Sequence, residues 1–374
     1  PGLGGINSGV IYCAGNDSAF TCLQDVLDEV IAIFPSKMIH IGGDEAPKDN
    51  WKRSDFCQRL IKEKNLKDEH GLQSYFVQRI EKYLNNKGRK IIGWDEILEG
   101  GLAPNAAVMS WRGEAGGIEA AKQKHDVVMT PSGYAYFDHT QSLNEDSVVI
   151  GGYTSLEKVY SYEPIPKELA KDEEKYILGA QANVWTEYIK NPSKIEYMVF
   201  PRMSALSEVL WSPKENKNWE RFQQKIPGLF KRYESWGANY SKAYYNLTNK
   251  IIPAKNNGLA WELSTADKNA KIIYKYNNEE LKTYKEPIIL NASGKISAVL
   301  ADENNQPIGN WINQDIYINK ATGKPVKLSS EPEKNYPGQG AFTLTDGVQN
   351  NKGMSRTSEF LGYLKDVDAI IDLG

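Results

Sequence analysis

From about residue 20 to residue 236 the chain alternates short apolar runs with longer stretches in which apolar residues recur every three or four positions. The short runs, at 38–42, 90–94, 107–111, 127–130 and 177–184, have the length of buried strands. The 3.6-residue period predicts helices over 21–34, 54–65, 70–86, 118–124 and 193–211, with a further amphipathic helix over 218–237. Strands alternating with helices in this way predict an α/β fold built on a parallel sheet. The polar stretch 246–258 contains Pro253 and reads as a linker. Beyond it, short runs at 271–276, 287–290, 296–301 and 312–318 are separated by Asn, Gly, Asp and Pro, the pattern of a small all-β module. A proline-containing stretch, 325–337, precedes a segment that begins at about 341 and stops in a strand-like run at Ile370 and Ile371, so the chain is expected to be cut within a third module.

The ends of the five predicted strands share a chemistry. The first runs through His40 to Gly42-Gly43-Asp44-Glu45, the second ends in Trp94-Asp95-Glu96, and the third in Ser110-Trp111-Arg112. The fourth leads to Tyr136-Phe137-Asp138 and the fifth to Trp185-Thr186-Glu187. A Trp, a carboxylate or both at one end of successive strands suggests a shared pocket, laid out as in a (β/α) barrel. The two glycines let the backbone open where bulkier residues would crowd the site. Asp44 and Glu45, held side by side, resist simultaneous ionisation; one keeps its proton and the other its charge, which suits acid-assisted cleavage of an acetal or ester. His40 reads as a buried, mid-strand residue supporting these acids. With four His in the chain and no second ligand pair at suitable spacing, a metal site is a poor reading. Asp95 and Glu96 are either site residues or caps of the following loop, and Arg112 is expected to salt-bridge at the rim. Trp211 and Trp236 read as core, and the Lys-rich stretch 167–175 as solvated surface.

Composition narrows the function classes. A chain of 374 residues with 40% hydrophobic and 25% charged residues can bury a large core, and a net charge of −3 gives no electrostatic case for nucleic acid or an anionic membrane. The 9 Trp and 21 Tyr supply flat rings of the kind that stack on sugar faces. No apolar run reaches the roughly 18–20 residues of a membrane span. With no initiator Met and no signal peptide at Pro1, the chain is expected to start downstream of any targeting segment. Cys13, Cys22 and Cys57 leave two readings open, a Cys13–Cys22 disulfide or three buried free thiols.

The motifs His40-Ile-Gly-Gly-Asp-Glu45, Gly93-Trp-Asp-Glu96, Ser110-Trp-Arg112, Tyr136-Phe-Asp138 and Ala182-Asn-Val-Trp-Thr-Glu187 stand in an order that resembles glycoside hydrolase family 20, the β-N-acetylhexosaminidase family. The resemblance covers roughly residues 10–245. It implies an incomplete (β/α)8 TIM barrel over 1–246 that supplies the last five strands. A small β-sandwich-like domain over 255–325, similar to the one that follows the barrel in chitobiase-type enzymes, comes next. Residues 341–374 resemble the truncated start of a discoidin-like carbohydrate-binding module. An open half-barrel exposes strand edges, so a fragment of a longer enzyme is expected, its missing front carrying an arginine that grips sugar hydroxyls.

The implied activity is removal of terminal β-linked GlcNAc or GalNAc from glycans or chitooligosaccharides by substrate-assisted catalysis, with no cofactor. In that scheme Glu45 is the acid, Asp44 orients the acetamido group, and Tyr136 donates to its oxygen. Trp94, Trp111 and Trp185 wall the pocket, Asp138 and Glu187 bind sugar hydroxyls, and His40 supports the acids. Adjacent acids cannot straddle a glycosidic bond as the two carboxylates of ordinary retaining enzymes do at about 5–5.5 Å, in agreement with this route. Two alternatives stand beside it: a retaining glycosidase with a carboxylate nucleophile such as Glu187, and a non-catalytic carbohydrate-binding fragment. The substrate class implies a periplasmic, cell-surface or secreted location.

Overall fold

The structure is a computed structural model that describes residues 11–142, 150–255, 258–265, 270–350 and 357–373. They fall into two compact units, one of Pro1–Phe137, Glu157–Trp185 and Arg202–Lys225, the other of Asp138–Leu156, Thr186–Pro201 and Ile226–Gly374. In chain order the elements up to Trp236 are α1 (Asp17–Ile33), β1 (Met38–His40), α2 (Asp49–Arg53), α3 (Asp55–Glu63), α4 (Glu69–Asn86), β2 (Lys90–Trp94), β3 (Ala107–Ser110), α5 (Ala115–Lys122), β4 (Val127–Met129), α6 (Ser132–Ala135), α7 (Leu156–Tyr160), β5 (Ile177–Ala180), α8 (Pro192–Val199), α9 (Arg202–Trp211) and α10 (Trp219–Trp236). No helix among the described residues is long and apolar enough to cross a membrane.

In the first unit β1 to β5 form a parallel sheet in the order β1-β2-β3-β4-β5, the α/β arrangement expected from the alternation of strands and helices. Ile91 to Trp94 and all of β3 are buried, which is why they read as unbroken apolar runs rather than alternating ones. Successive residues still face opposite sides. Ile39, Ile91, Val108 and Val127 pack with Phe20 of α1, Val77, Ile80 and Leu84 of α4 and Ala120 and Ala121 of α5. Ile92, Trp94, Ala107 and Met109 form the cluster on the other face. That second face leads towards the candidate chemistry.

Several boundaries differ from expectation for local reasons. α1 starts at Asp17, earlier than the apolar pattern indicates, because Asn16 caps it by accepting from the Ser18 N–H at 2.9 Å. The single helix expected over 193–211 is two, α8 and α9, separated by Phe200-Pro201, since proline has no N–H to continue the ladder. α2, absent from the reading, buries Trp51. Trp211 and Trp236, expected in the core, are 91% and 62% exposed; each stands as the last residue of its helix. Cys13, Cys22 and Cys57 are free thiols, and Cys57 alone of the three is buried.

The second unit carries β6 (Thr248–Ala254), β7 (Gly258–Ser264), β8 (Lys271–Tyr276), β9 (Lys282–Thr283), β10 (Ile288–Leu290), β11 (Gly294–Ala301), β12 (Pro307–Ile316), β13 (Val326–Leu328), β14 (Gly338–Ala341) and β15 (Ala369–Ile371). Sheets β10-β7-β6 and β12-β11-β8-β9 contribute Leu259, Trp261, Ile296 and Ile316 to one apolar core. The expected linker 246–258 is corrected: most of it is β6, paired antiparallel with β7. Its Pro253 is tolerated because β6 is an edge strand, where a missing N–H breaks no ladder on its open side. Further on, β13 pairs antiparallel with β15.

Candidate active site

β1 ends at His40, and the chain turns through Gly42 and Gly43 with φ of +71° and +102°. Space as well as conformation demands glycine here, since a Cβ on Gly43 would stand 2.6 Å from Ile97 Cγ2. The β1–β2 ladder runs into the turn, with the Trp94 N–H donating to Gly42 O at 2.9 Å. Asp44 and Glu45 follow at once and are exposed. Glu45 has φ +45°, a left-handed backbone that costs a non-glycine residue about 1–3 kcal/mol and concentrates at functional sites. Two polar side chains brace the turn. Gln73 Nε2, on α4, donates to Gly43 O at 2.8 Å, while Lys48 Nζ donates to Gln73 Oε1 at 2.5 Å and to Ala46 O at 2.8 Å. Loss of hydration lowers the Lys48 pKa, against the pull of Glu99 and Glu96.

The expectation of a buried, mid-strand His40 is corrected. It is the last residue of β1, an edge strand, and its side chain is exposed although its backbone pairs with Ile92. Its ring still packs edge-on against Trp94 with centroids 4.8 Å apart, and Nδ1 accepts from the Gly42 N–H at 3.1 Å. Loss of hydration on the packed side lowers the His40 pKa, and Asp44 opposes this. A cleft of about 350 Å³ touches His40, Gly43 and Asp44, but Leu27, Phe76 and Val77 make most of its remaining wall apolar, and the indoles of the strand ends lie outside it.

Those strand ends meet as one series of rings. Trp94 lies 5.8 Å from Trp185, Trp185 lies 6.3 Å from Tyr136, and Tyr136 stacks on Trp111 at 6.2 Å with an interplanar angle of 17°. Backbone pairing that outlasts β4 and β5 brings them together. The Gln181 N–H donates to Met129 O at 2.9 Å, the Phe137 N–H to Asn183 O at 2.8 Å, and the Asn183 N–H to Ala135 O at 2.8 Å. Tyr136 and Asn183 are thereby bridged. Buried Asn183 fixes the join, donating to Thr130 Oγ1 at 2.8 Å and accepting from Gln181 Nε2 at 3.1 Å. Fully buried Arg202, on α9, donates to Phe137 O at 2.5 Å and lies over the Phe137 ring.

Beside the rings stands an acidic cluster gathered around Arg112. Its Nε donates to Asp95 Oδ1 at 2.9 Å and lies 3.8 Å from Glu96 Oε1, while Nη1 reaches Glu99 at 2.8 Å. Trp111 Nε1 donates to Glu96 Oε2 at 3.0 Å. Burial and the hydrogen bond with Glu96 raise the Asp95 pKa to about 6, against the pull of Arg112. Both acids are therefore buried rather than solvated, Asp95 against Arg112 and Glu96 against Trp111. Among the described residues no group of three or more His, Cys, Asp and Glu side chains is arranged to hold a metal ion.

The first unit thus brings together His40, Trp94, Trp111, Tyr136 and Trp185, with Asp44 and Glu45 on the turn after β1. Asp138, buried, and Glu187, exposed, fall in the second unit although each follows a ring of the first by two residues. Gln73 and Arg202 escaped the sequence reading because each acts far from its own position in the chain, and Lys48 because its part depends on reaching Gln73 on α4. Asn183 carried a signal, being with Gln181 one of two polar residues in the run 177–184.

Residues 4–214 match the catalytic domain of glycosyl hydrolase family 20. A beta-hexosaminidase of Porphyromonas gingivalis is 51% identical over 232 residues, covering 62% of this chain and 30% of that protein. The exo β-N-acetylglucosaminidase of Vibrio harveyi, solved in complex with N-acetylglucosamine, has a TM-score of 0.58 and 33% identity over 63% of this chain and 37% of its own. The β-N-acetylhexosaminidase of Bacteroides fragilis has a TM-score of 0.55 and 31% identity, over 62% of this chain and 48% of its own. The chain spans between a third and a half, or less, of the length of these relatives. Since the catalytic-domain match takes in more than half of its residues, including the glycine turn, both acids and all four rings, the chain belongs to glycosyl hydrolase family 20.

Proposed function

We propose that the protein carrying this chain is an exo-acting β-N-acetylhexosaminidase that removes terminal N-acetylhexosamine from glycans or chitooligosaccharides. One observation carries the reading: two adjacent acids on a strained turn, beside a continuous series of four aromatic rings. Adjacent residues on one turn suit different duties on the same side of a sugar, not attack and protonation from opposite sides.

In this reading the substrate's acetamido oxygen is the nucleophile. It attacks the anomeric carbon and closes an oxazolinium ring as the glycosidic bond breaks. Glu45 gives its proton to the leaving oxygen and then takes one from the water that reopens the ring. Asp44 accepts from the acetamido N–H and stabilises the positive charge developing there. Tyr136 donates its hydroxyl to the attacking oxygen, keeping it aimed. Trp94, Trp111 and Trp185 enclose the acetamido methyl and the sugar face. His40 supports the turn that holds both acids, a role its bond to Gly42 favours.

We also infer that β1 to β5 correspond to the last five strands of an eight-stranded barrel, a reading supported by their parallel order. Residues 255–325 are read as the small β domain that follows such a barrel, and 341–373 as part of a discoidin-like carbohydrate-binding module. A periplasmic, cell-surface or secreted location follows from the substrate class.

The native protein should hydrolyse 4-nitrophenyl N-acetyl-β-glucosaminide and act on 4-nitrophenyl β-glucoside about 10³-fold or more slowly, since the second lacks the built-in nucleophile. Comparable rates on the two would overturn the substrate-assisted route.

A further inference from the structure

We propose that Glu96 is a positioning residue of this site: its carboxylate holds the indole N–H of Trp111 and so sets the plane of that ring against Tyr136. The inference rests on the reading that these two rings wall the sugar pocket, and it assigns a task to an acid that no step of the reaction uses.

Trp111 is only partly buried against the cluster of Ile92, Trp94, Ala107 and Met109, so packing alone does not fix its ring completely. Its one polar handle is the indole N–H, which takes Glu96 Oε2 at 3.0 Å, and the ring lies stacked on Tyr136 at 17°. An indole released from that bond can swing about its side-chain torsions and open the gap to Tyr136. Glu96 is itself well fixed. It is 7% exposed, sits in the one-turn helix Asp95–Leu98, and lies 3.8 Å from Arg112 Nε. Arg112 is pinned on both sides, by Asp95 and by Glu99. The charged groups facing Glu96 are thus Asp95, Glu99 and Arg112, with Lys48 acting on it through space and His70 contacting Glu99 at 3.0 Å. The arrangement runs from Arg112 through a buried carboxylate to a ring of the pocket wall. A carboxylate acceptor makes a stronger bond to N–H than a neutral one does, so the choice of Glu favours one ring orientation.

Two readouts on the native protein test this. In the first, Glu96→Ala lowers kcat/KM for 4-nitrophenyl N-acetyl-β-glucosaminide about 10- to 100-fold, mainly through KM, while Glu96→Gln, whose amide oxygen still accepts the bond, stays within about 5-fold. In a Trp111→Phe background the same Glu96→Ala change costs less than about 2-fold, because the group it positions is gone. Additive losses in that cycle overturn the proposal. In the second, the ¹⁵N–¹H resonance of the Trp111 indole, assigned by its disappearance in Trp111→Phe, shifts upfield in Glu96→Met and by clearly less in Glu96→Gln, whose neutral amide oxygen makes a weaker bond. Methionine fills the volume without an acceptor, so this variant serves where the alanine cavity prevents folding. The resonance needs no turnover: a protein that cleaves no N-acetylhexosaminide overturns the proposed function, whereas an unmoved resonance in Glu96→Met overturns the anchoring itself.

Discussion

A carboxyl with 2% exposure, beside a second acid, holds its proton to a higher pH when folded than when unfolded. For Asp95 the folded value is about 6 against an ordinary 3.8, with burial as the largest cause. The folded state therefore binds more protons across this window, and the stability contributed by the group is full below about 3.8 and is lost as pH rises through about 6. Asp95→Asn keeps the shape without the titration. Denaturant midpoints should show the native protein losing up to roughly 3 kcal/mol relative to Asp95→Asn between pH 4 and 7. A difference that stays constant over that range would contradict the assignment. Residues such as this were only half legible in the sequence. Asp44 and Glu45 announced themselves through the two glycines before them, whereas Glu96 stayed ambiguous because its partner lies 15 positions away, just past the end of β3.

At the scale of elements, the turn after β1 is where conformation and crowding coincide. Gly43 combines φ +102° with a Cβ position 2.6 Å from Ile97, while Gly88 has φ +70° with nothing within 4 Å. Gly88→Ala should cost about 1 kcal/mol, the conformational part alone, and Gly43→Ala about 2–4 kcal/mol because overpacking adds to it. Thermal unfolding of the two variants decides the matter, and equal losses would show that crowding at Ile97 is absorbed. Of the five strands of the parallel sheet, β2 and β3 were legible because burial on both faces gives them continuous apolar runs, whereas β1 and β5, at the sheet edges, are only partly buried. The elements that escaped did so for chemical reasons. Pro253 marks a break in most contexts but is harmless on the open edge of β6, and Pro201 divides a helix whose apolar period continues across it. The strand ends were overestimated, since residues such as Asn183 go on pairing after regular strand geometry stops.

For the whole molecule, one theme links sheet, turn and rings. The parallel sheet of the first unit sets the ends of its strands side by side, and each end delivers one part of the site: the acids after β1, Trp94 at the end of β2, Trp111 after β3, Tyr136 after β4 and Trp185 after β5. Order along the chain was enough to suggest that these ends lie together, but contacts among the rings and the bracing by Gln73, Asn183, Arg202 and Arg112 appear only in three dimensions. In the proposed function Glu45 supplies the proton for glycoside cleavage. Its most direct test is the hydrolysis of an N-acetyl-β-glucosaminide with a poor leaving group by the native protein and by Glu45→Gln. Loss of a correctly placed acid predicts a fall in kcat of about 10²–10⁴-fold with the substrate still bound. Equal rates in the two proteins would contradict the account.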